Sequence, residues 1–161
     1  NVIKFSAKGK LIGYNTDYFG FMKALKPLLQ SHHKKALILG TGGASKGVAF
    51  ALKKLEIPFT FVSRVASKKA IDYSSIDAII FEEHQIIINC TPLGTIPNTN
   101  VCPIIPYENF SPQHLAFDLI YNPSLTSFLK QGQMKGATIL NGEQMLVEQA
   151  EAAFKIWQAH I

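Results

Sequence analysis

Residues 36–50, ALILGTGGASKGVAF, place a glycine-rich turn between two different hydrophobic patterns. The unbroken apolar run Ala36–Leu39 predicts a strand that is buried on both faces, as strands of parallel sheets are. From Ala44 to Leu55 the apolar residues recur with helical periodicity, and the next stretch, IPFTFVSR, predicts a second strand. We therefore predict a β-α-β unit, which requires a parallel sheet.

Other stretches extend this alternation along most of the chain. Short strands are predicted at 2–5 and 11–14, and buried strands at 86–90, 115–120 and 137–140. Helices are predicted at about 17–30, 125–131 and 143–159. Strands that alternate with helices predict an α/β fold, a Rossmann-like doubly wound parallel sheet with helices on both faces. Because the 161 residues contain no internal repeat or linker, we predict a single domain over 1–161.

The glycines of this turn predict a phosphate-binding site. At the start of a helix, unpaired backbone N–H groups and the helix dipole attract anions. Gly40 permits the tight turn, and Gly42 lets a pyrophosphate approach the backbone. Gly43 and Gly47 allow close passage of strand, ligand and helix, although the spacing is GxGGxxxG and Ser45 occupies the third-glycine position of GxGxxG. We therefore expect a dinucleotide at the turn, held by Gly40, Thr41, Gly42, Gly43 and Ala44.

The end of the second predicted strand, VSRVASKK, discriminates between the two nicotinamide dinucleotides. NAD enzymes carry an Asp or Glu there that binds the ribose hydroxyls, whereas an Arg accommodates the 2′-phosphate of NADP. Arg64 can pair with that phosphate and stack on adenine. Hydroxyl groups and a further positive charge come from Ser63, Ser67 and Lys68. The sequence therefore predicts NADP as the cofactor.

Composition excludes several other classes of protein. The net charge of +5 comes from dispersed lysines without clustered exposed aromatics, so we do not expect nucleic acid as a partner. The longest apolar runs are far shorter than the roughly 18 residues of a membrane span. Cys90 and Cys102 form neither a CxxC pair nor a metal cluster, and we expect reduced thiols in a cytoplasmic protein without a metal. The start, NVIKFSAKGK, lacks a Met and a secretory signal, so we expect it to lie inside a longer protein.

Five motifs in order along the chain resemble those of the shikimate dehydrogenase family and its quinate/shikimate relatives: GYNTDYFGF, GTGGASKG, NCTPLG, FDLIYNPSLTSFL and NGEQMLVEQA. The resemblance covers nearly the whole chain, from Asn1 to about Trp157. It implies the C-terminal NADP-binding lobe, with residues 1–17 joining it to a missing N-terminal substrate-binding lobe. That lobe carries the family's catalytic lysine, so we expect the chain alone to be inactive. The implied oxidoreductase activity is the reversible NADPH-dependent reduction of 3-dehydroshikimate to shikimate, in aromatic amino acid (chorismate) biosynthesis.

The resemblance also implies which residues meet the substrate. Asp17 is the carboxylate partner of the missing lysine, in a pair that can deliver a proton to the alkoxide left by hydride transfer. Asn1 matches a substrate-binding Asn, and Gln149 would hydrogen-bond substrate hydroxyls. Together with Asn15 and Tyr121, these residues form the expected substrate site in the cleft between the lobes.

Further cofactor contacts follow from the same resemblance. Asn89 and Thr91, at the end of a buried strand, would touch the nicotinamide side of the dinucleotide. Leu119 matches a position that meets the cofactor. Gly142 is implied as a backbone contact, and Met145 as a neighbour of the nicotinamide.

Two other functions stay open from the sequence. A quinate/shikimate dehydrogenase would share these motifs, although Arg64 favours NADP over the NAD-using form. A non-catalytic NADP-binding module would need no catalytic lysine, but it would have no use for Asp17 and Gln149. The parent protein is expected to be either a two-lobed enzyme or a larger pathway fusion.

Overall fold

A computed structural model describes residues 1–6 and 8–159, so Ala7, His160 and Ile161 of the predicted domain lie outside the described residues. Within that part, six parallel strands form one sheet in the spatial order β5-β4-β3-β6-β7-β8. Their bounds are β3 Ala36–Leu39, β4 Phe59–Ser63, β5 Ala70–Asp72, β6 Ile86–Asn89, β7 Leu115–Asp118 and β8 Thr138–Leu140. Numbered along the sheet, this is the 3-2-1-4-5-6 order of doubly wound dinucleotide-binding folds. The predicted fold class is confirmed.

The central strands are fully buried because helices cover both faces of the sheet. In β3, Ile38 faces a core that also contains Phe21 and Leu52 from helices on one side. Its neighbours along the strand, Leu37 and Leu39, face a second core on the other side. Alternate residues of one apolar run therefore serve two cores, which explains why this strand shows no polar positions.

Five α-helices lie within residues 1–6 and 8–159: α1 Asp17–Leu25, α2 Gly43–Lys54, α3 Ala78–Glu83, α4 Ser127–Met134 and α5 Glu143–Gln158. The prediction of a helix to about residue 30 was too long. After Leu25 the chain forms a single 3₁₀ turn, Lys26–Leu28, and Leu29 is extended. Pro27 accounts for the early end, since proline cannot continue the helical hydrogen-bond pattern.

Strand β5 and helix α3 were not predicted from the sequence. Six residues, Arg64–Lys69, link β4 to its parallel neighbour β5, and they contain no helix. A tight turn takes its place, in which the Ser67 N–H donates to the Ala70 carbonyl at 2.8 Å. The crossover from β4 to β5 is therefore made without a helix.

The first two strands, β1 Val2–Phe5 and β2 Leu11–Tyr14, lie where short strands were predicted, and they form a separate antiparallel hairpin. The hairpin is fastened to the end of α5. Lys4 Nζ donates to the carbonyls of Ile156 and Ala159, and Trp157 Nε1 donates to the Ile3 carbonyl at 3.1 Å. These bonds tie the first residues of the chain to its last helix. Across the described residues, no helix combines the length and apolar character that a membrane span requires.

Candidate functional site

The glycine turn joins β3 to α2 and opens onto free space. Gly40 has φ +106°, in the left-handed region that favours glycine, and a Cβ there would lie 3.1 Å from Thr91 Cγ2. A Cβ on Gly42 or Gly43 would meet nothing within 4 Å. Gly42 caps α2 without a side-chain hydrogen bond to the first turn, so the helix presents backbone N–H donors to that space. Both the free space over the turn and the backbone N–H donors of α2 suit a phosphate group.

A cavity of about 660 Å³ lies beside this turn, at the carboxyl ends of three neighbouring strands. Six of the predicted cofactor residues line it: Gly40, Thr41, Gly42, Ser63, Arg64 and Thr91. The sequence analysis missed Tyr73, which also lines the cavity, because β5 just before it was not predicted. The arrangement is that of a ligand cavity at the strand ends of an open α/β sheet.

A second cavity, of about 510 Å³, shares Thr41, Ser63 and Val65 with the first. Predicted residue Ser67 lines it, together with Lys46 and Lys69, which were not predicted. Lys68, which was predicted, is exposed but does not line either cavity. Ala44 lies exposed at the start of α2.

Asn89 is fully buried and lines neither cavity, and its contact with the nicotinamide stays a prediction. Its Oδ1 accepts from the Thr91 backbone N–H at 3.0 Å and from the Thr91 hydroxyl at 2.6 Å, while its Nδ2 donates to Asp118 Oδ1 at 3.1 Å. Asn89 therefore holds the Thr91 loop in place. Burial raises the pKa of Asp118 to about 6, although hydrogen bonds from Thr126, Ile120 and Asn89 act in the opposite direction.

The start of α5 lies directly against the loop after β7. A Cβ on Gly142 would be 2.1 Å from the Leu119 carbonyl oxygen, and the Gly142 N–H donates to the Ile120 carbonyl at 3.0 Å. Leu119 and Met145 are half-buried against the core. Tyr121 is 52% exposed just beyond this contact. Because Gly142 has no side chain, two predicted cofactor residues, Gly142 and Leu119, lie in backbone contact.

Three predicted substrate residues meet in one hydrogen-bond network. Asn1 Nδ2 lies 2.6 Å from Asp17 Oδ1, 2.9 Å from Thr16 Oγ1 and 3.3 Å from Gln149 Oε1. The Thr16 hydroxyl also donates to Gln149 Oε1 at 3.3 Å. Asn15 lies outside this network, and its Oδ1 accepts from the Tyr18 N–H at the start of α1. Thr16, which the sequence analysis did not assign to the site, is buried inside the network.

Close helix contacts position this network. A Cβ on Gly20 would lie 2.4 Å from the Met145 carbonyl oxygen and 2.9 Å from Gln149 Cβ, so α1 and α5 cross at van der Waals contact there. On the other side of α1, a Cβ on Gly47 would lie 3.7 Å from Asp17 Cβ. The carboxylate of Asp17 is therefore held beside the helix that begins at the glycine turn. The glycine of GFM was a signal for this crossing that the sequence analysis did not use.

The strand order, the glycine turn and the cavity at the strand ends are those of the dinucleotide-binding class of α/β domains. No protein-family model matches the chain. Individual proteins do: the shikimate dehydrogenase (NADP(+)) of Methanococcus maripaludis is 39% identical over 173 residues, a match that covers 98% of this chain and 61% of that protein. The chain belongs to the shikimate dehydrogenase family, and it spans about three fifths of the length of the relatives it matches.

Solved structures of shikimate dehydrogenases are also similar to this chain. A chorismate mutase/shikimate 5-dehydrogenase fusion protein from Clostridium acetobutylicum superposes with a TM-score of 0.82 and 36% identity, over 99% of this chain and 59% of that one. The shikimate 5-dehydrogenase of Thermus thermophilus, solved in complex with NADP(H) and shikimate, gives a TM-score of 0.80 and 31% identity, over 94% of this chain and 59% of that one.

Proposed function

We propose that this chain is the NADP-binding part of an enzyme that reversibly reduces 3-dehydroshikimate to shikimate with NADPH. The observation that carries the proposal is the network of Asn1, Thr16, Asp17 and Gln149 beside a helix that starts at an open glycine turn. A protein that only bound a dinucleotide would have no use for these polar groups. Their position supports a second, polar ligand next to the cofactor.

The cofactor would be held at the strand ends. Backbone N–H groups after Gly42 would take the pyrophosphate, Arg64 would pair with the 2′-phosphate, and the loop at Thr91 would lie toward the nicotinamide. Leu119, Gly142 and Met145 would complete that end. Bound there, the nicotinamide supplies the hydride that reduces a carbonyl carbon.

The polar network would bind the substrate and manage the proton. Within the described residues, Asp17 Oδ2 and Gln149 Nε2 have no hydrogen-bond partner, whereas Asp17 Oδ1 accepts from Asn1. One carboxylate oxygen is thus free to pair with a cationic acid, and one amide is free to donate to a hydroxyl. We propose that the cation is a lysine of a substrate-binding lobe that residues 1–17 join to this domain. Asn15 and Tyr121 would line the same cleft.

The wider setting is also a proposal. We propose that the enzyme acts in aromatic amino acid biosynthesis in the cytoplasm. The relatives' name, shikimate dehydrogenase, supports the pathway, and a structural neighbour that is a chorismate mutase/shikimate 5-dehydrogenase fusion supports a fusion to another pathway enzyme. Quinate dehydrogenase activity is the alternative. An Arg rather than an acidic residue after β4 favours the NADP-dependent shikimate enzyme.

Calorimetric titration of the chain with NADPH and NADH tests the proposal. We expect NADPH to bind more tightly than NADH. Gly42→Val should abolish binding of both by filling the space over the turn, while Gly13→Ala, a hairpin position with nothing within 4 Å of its Cβ, serves as the matched control. Equal binding of the two cofactors, or none, would contradict the proposal. Oxidation of shikimate against quinate by the enzyme that contains this chain then decides between the two substrates.

A further inference from the structure

Asp118 is the last residue of β7, at the carboxyl edge of the sheet, and its side chain is fully buried. In the part of the chain that the structure describes, it has no cationic partner, because the one ion pair within 4 Å there joins Lys35 to Glu83. Burying a carboxylate without a counter-charge costs stability, and burial raises the pKa of Asp118 to about 6. An apolar side chain at this position would avoid that cost. Packing alone therefore does not account for the residue.

The two carboxylate oxygens of Asp118 accept hydrogen bonds from three separate segments. Oδ1 accepts from Asn89 Nδ2, at the end of β6, and from the Ile120 N–H, in the loop after β7, both at 3.1 Å. Oδ2 accepts from the hydroxyl of Thr126, the residue that caps α4, at 2.6 Å. An ionised carboxylate only accepts hydrogen bonds, and its two oxygens suit three donors that converge on one point.

Through Asn89, the carboxylate fixes the loop after β6. Asn89 Nδ2 donates to Asp118 and, at 3.4 Å, to the Leu93 carbonyl. With Nδ2 held there, Asn89 Oδ1 is free to accept from the N–H and the hydroxyl of Thr91. An amide flipped by half a turn would place its oxygen against the carboxylate, so Asp118 selects the orientation of Asn89 that binds Thr91.

Through the Ile120 N–H, the carboxylate fixes the loop after β7. Leu119 lies between the two residues that this bond joins. The Ile120 carbonyl accepts from the Gly142 N–H at 3.0 Å, which ties the start of α5 to the same loop. Met145 belongs to the first turn of that helix. The residues expected at the nicotinamide therefore come from two loops and one helix start that are joined at Asp118.

We propose that Asp118 is a positioning residue, which holds the loops after β6 and β7 in the arrangement that receives the nicotinamide end of the dinucleotide. It lines neither cavity and acts through Thr91 and Leu119. The inference rests on the proposed function, because it assumes that NADP binds at the strand ends. The adenosine end should not depend on Asp118, since Arg64 follows β4, which β3 and β6 separate from β7.

The test compares two ligands by calorimetric titration of the chain at pH 8, where Asp118 is ionised. The ligands are NADPH and adenosine 2′,5′-bisphosphate, which lacks the nicotinamide. We expect Asp118→Ala to weaken NADPH binding about 5- to 10-fold, because the freed loops must be ordered again on binding, and to change bisphosphate binding less than about 2-fold. Asp118→Asn still offers an oxygen to Asn89 and Ile120, so NADPH binding should stay within about 3-fold of the unmodified chain.

A control and a second variant accompany this comparison. Asp77→Ala removes an exposed carboxylate that accepts from a backbone N–H at the start of α3, and it should change the binding of neither ligand. Asp118→Ala leaves three donors without an acceptor and lowers stability, so circular dichroism verifies that it folds. Asn89→Ala cuts only the link from the carboxylate to Thr91, and it should show the same selective loss of NADPH binding.

Turnover provides an independent measurement in the enzyme that contains this chain. Misplacing the reacting groups by about 1 Å can cost about 10²-fold in rate. We therefore expect Asp118→Ala to lower kcat for NADP-dependent oxidation of shikimate about 10- to 100-fold, while KM for shikimate changes less than about 3-fold. Asp118→Asn should recover most of that loss.

The outcomes separate this inference from the proposed function. If the unmodified chain does not bind NADPH, the proposed function is contradicted, and the inference with it. If the chain binds NADPH and either Asp118→Ala, correctly folded, or Asn89→Ala binds it as tightly as before, only the inference is overturned. Equal losses for NADPH and the bisphosphate would also overturn it, because Asp118 would then support the whole sheet rather than the nicotinamide end.

Discussion

Polar residues at the two ends of the central sheet differ in whether they have hydrogen-bond partners. At the carboxyl ends, two cavities open beside the glycine turn, and groups such as Arg64 and Lys69 face them without partners among the described residues. At the amino ends, a buried histidine precedes each of three neighbouring strands: His33 before β3, His84 before β6 and His114 before β7. Each of these histidines forms hydrogen bonds with neighbouring groups.

Burial at the amino ends favours the neutral form of the histidines, and hydrogen bonds satisfy their ring nitrogens. His33 Nδ1 accepts from the Gln30 N–H at 3.0 Å, and His84 bonds through Nδ1 to the Ile80 carbonyl and through Nε2 to the Thr60 hydroxyl. Burial lowers the pKa of His33, His84 and His114. Polar groups that are buried and satisfied stabilise the fold, whereas polar groups left facing a cavity are available to a ligand.

The largest expected effect is a loss of turnover, caused by a substitution at the carboxyl end of the sheet. Asp17→Asn keeps the shape of the side chain and removes the charge that would pair with a cationic acid, so we expect turnover to fall about 10²- to 10⁴-fold. NADPH affinity should stay nearly unchanged. The measurement is NADP-dependent oxidation of shikimate by the enzyme that contains this chain. Unchanged turnover would remove Asp17 from the mechanism.

Gly142→Ala should have the next largest effect, on stability. Its Cβ would lie 2.1 Å from the Leu119 carbonyl oxygen, and a backbone atom cannot move aside as a flexible side chain would. We expect a loss of about 3 kcal/mol in the free energy of unfolding, measured by urea denaturation. Gly42→Ala, where a Cβ meets nothing within 4 Å and φ is −75°, should cost less than about 1 kcal/mol. Similar losses in both would mean that neither glycine is required by its contacts.

This contrast also separates what the sequence could predict from what it could not. The parallel sheet and the turn at Gly40 follow from local patterns, a buried apolar run and a glycine cluster before a helical period, and these do not depend on distant residues. The meeting of Asn1 with Gln149 depends on how closely two helices cross at Gly20, and the sequence analysis placed the two residues in one site only through the resemblance.

Two details of the site depend on neighbouring elements. Lys68 was predicted from the stretch VSRVASKK, and in the structure it is Lys69 that lines a cavity, because the turn before the unpredicted strand β5 sets the course of the loop. Asn89 was expected to touch the ligand because it ends a strand at the right edge. Its burial and its bonds to Thr91 and Asp118 appear only when the neighbouring strand is in place.

Arg64→Ala should have an intermediate effect, on affinity. Loss of the guanidinium should weaken NADPH binding about 10- to 100-fold and leave NADH binding nearly unchanged, since only NADPH carries the 2′-phosphate. Calorimetric titration measures both, and unfolding in urea should be unchanged because Arg64 is exposed. Equal weakening of the two cofactors would assign Arg64 to a part of the dinucleotide that they share.

The smallest effect is on the pH dependence of stability, and there the two ends should differ in sign. The histidine pKa values lie below the ordinary 6.5, so their contribution is present above about pH 6.5 and is lost as pH falls through the lowered values. The pKa of Asp118, at the carboxyl end of β7, is raised from 3.8 to about 6. Its contribution is present below about pH 3.8 and is lost as pH rises through about 6.

Two variants isolate these opposing contributions. His84→Gln should make the melting temperature fall less than in the unmodified chain when the pH is lowered from 7 to 4.5. Asp118→Asn should make it fall more, because the variant no longer gains stability from protonation of a buried carboxyl group. Thermal unfolding at both pH values gives the two differences, with Asp77→Asn, an exposed helix-capping carboxylate, as the comparison for a surface charge. If both variants shifted the pH dependence in the same direction, the histidines and the aspartate would not be acting as separate, oppositely signed groups at the two ends of the sheet.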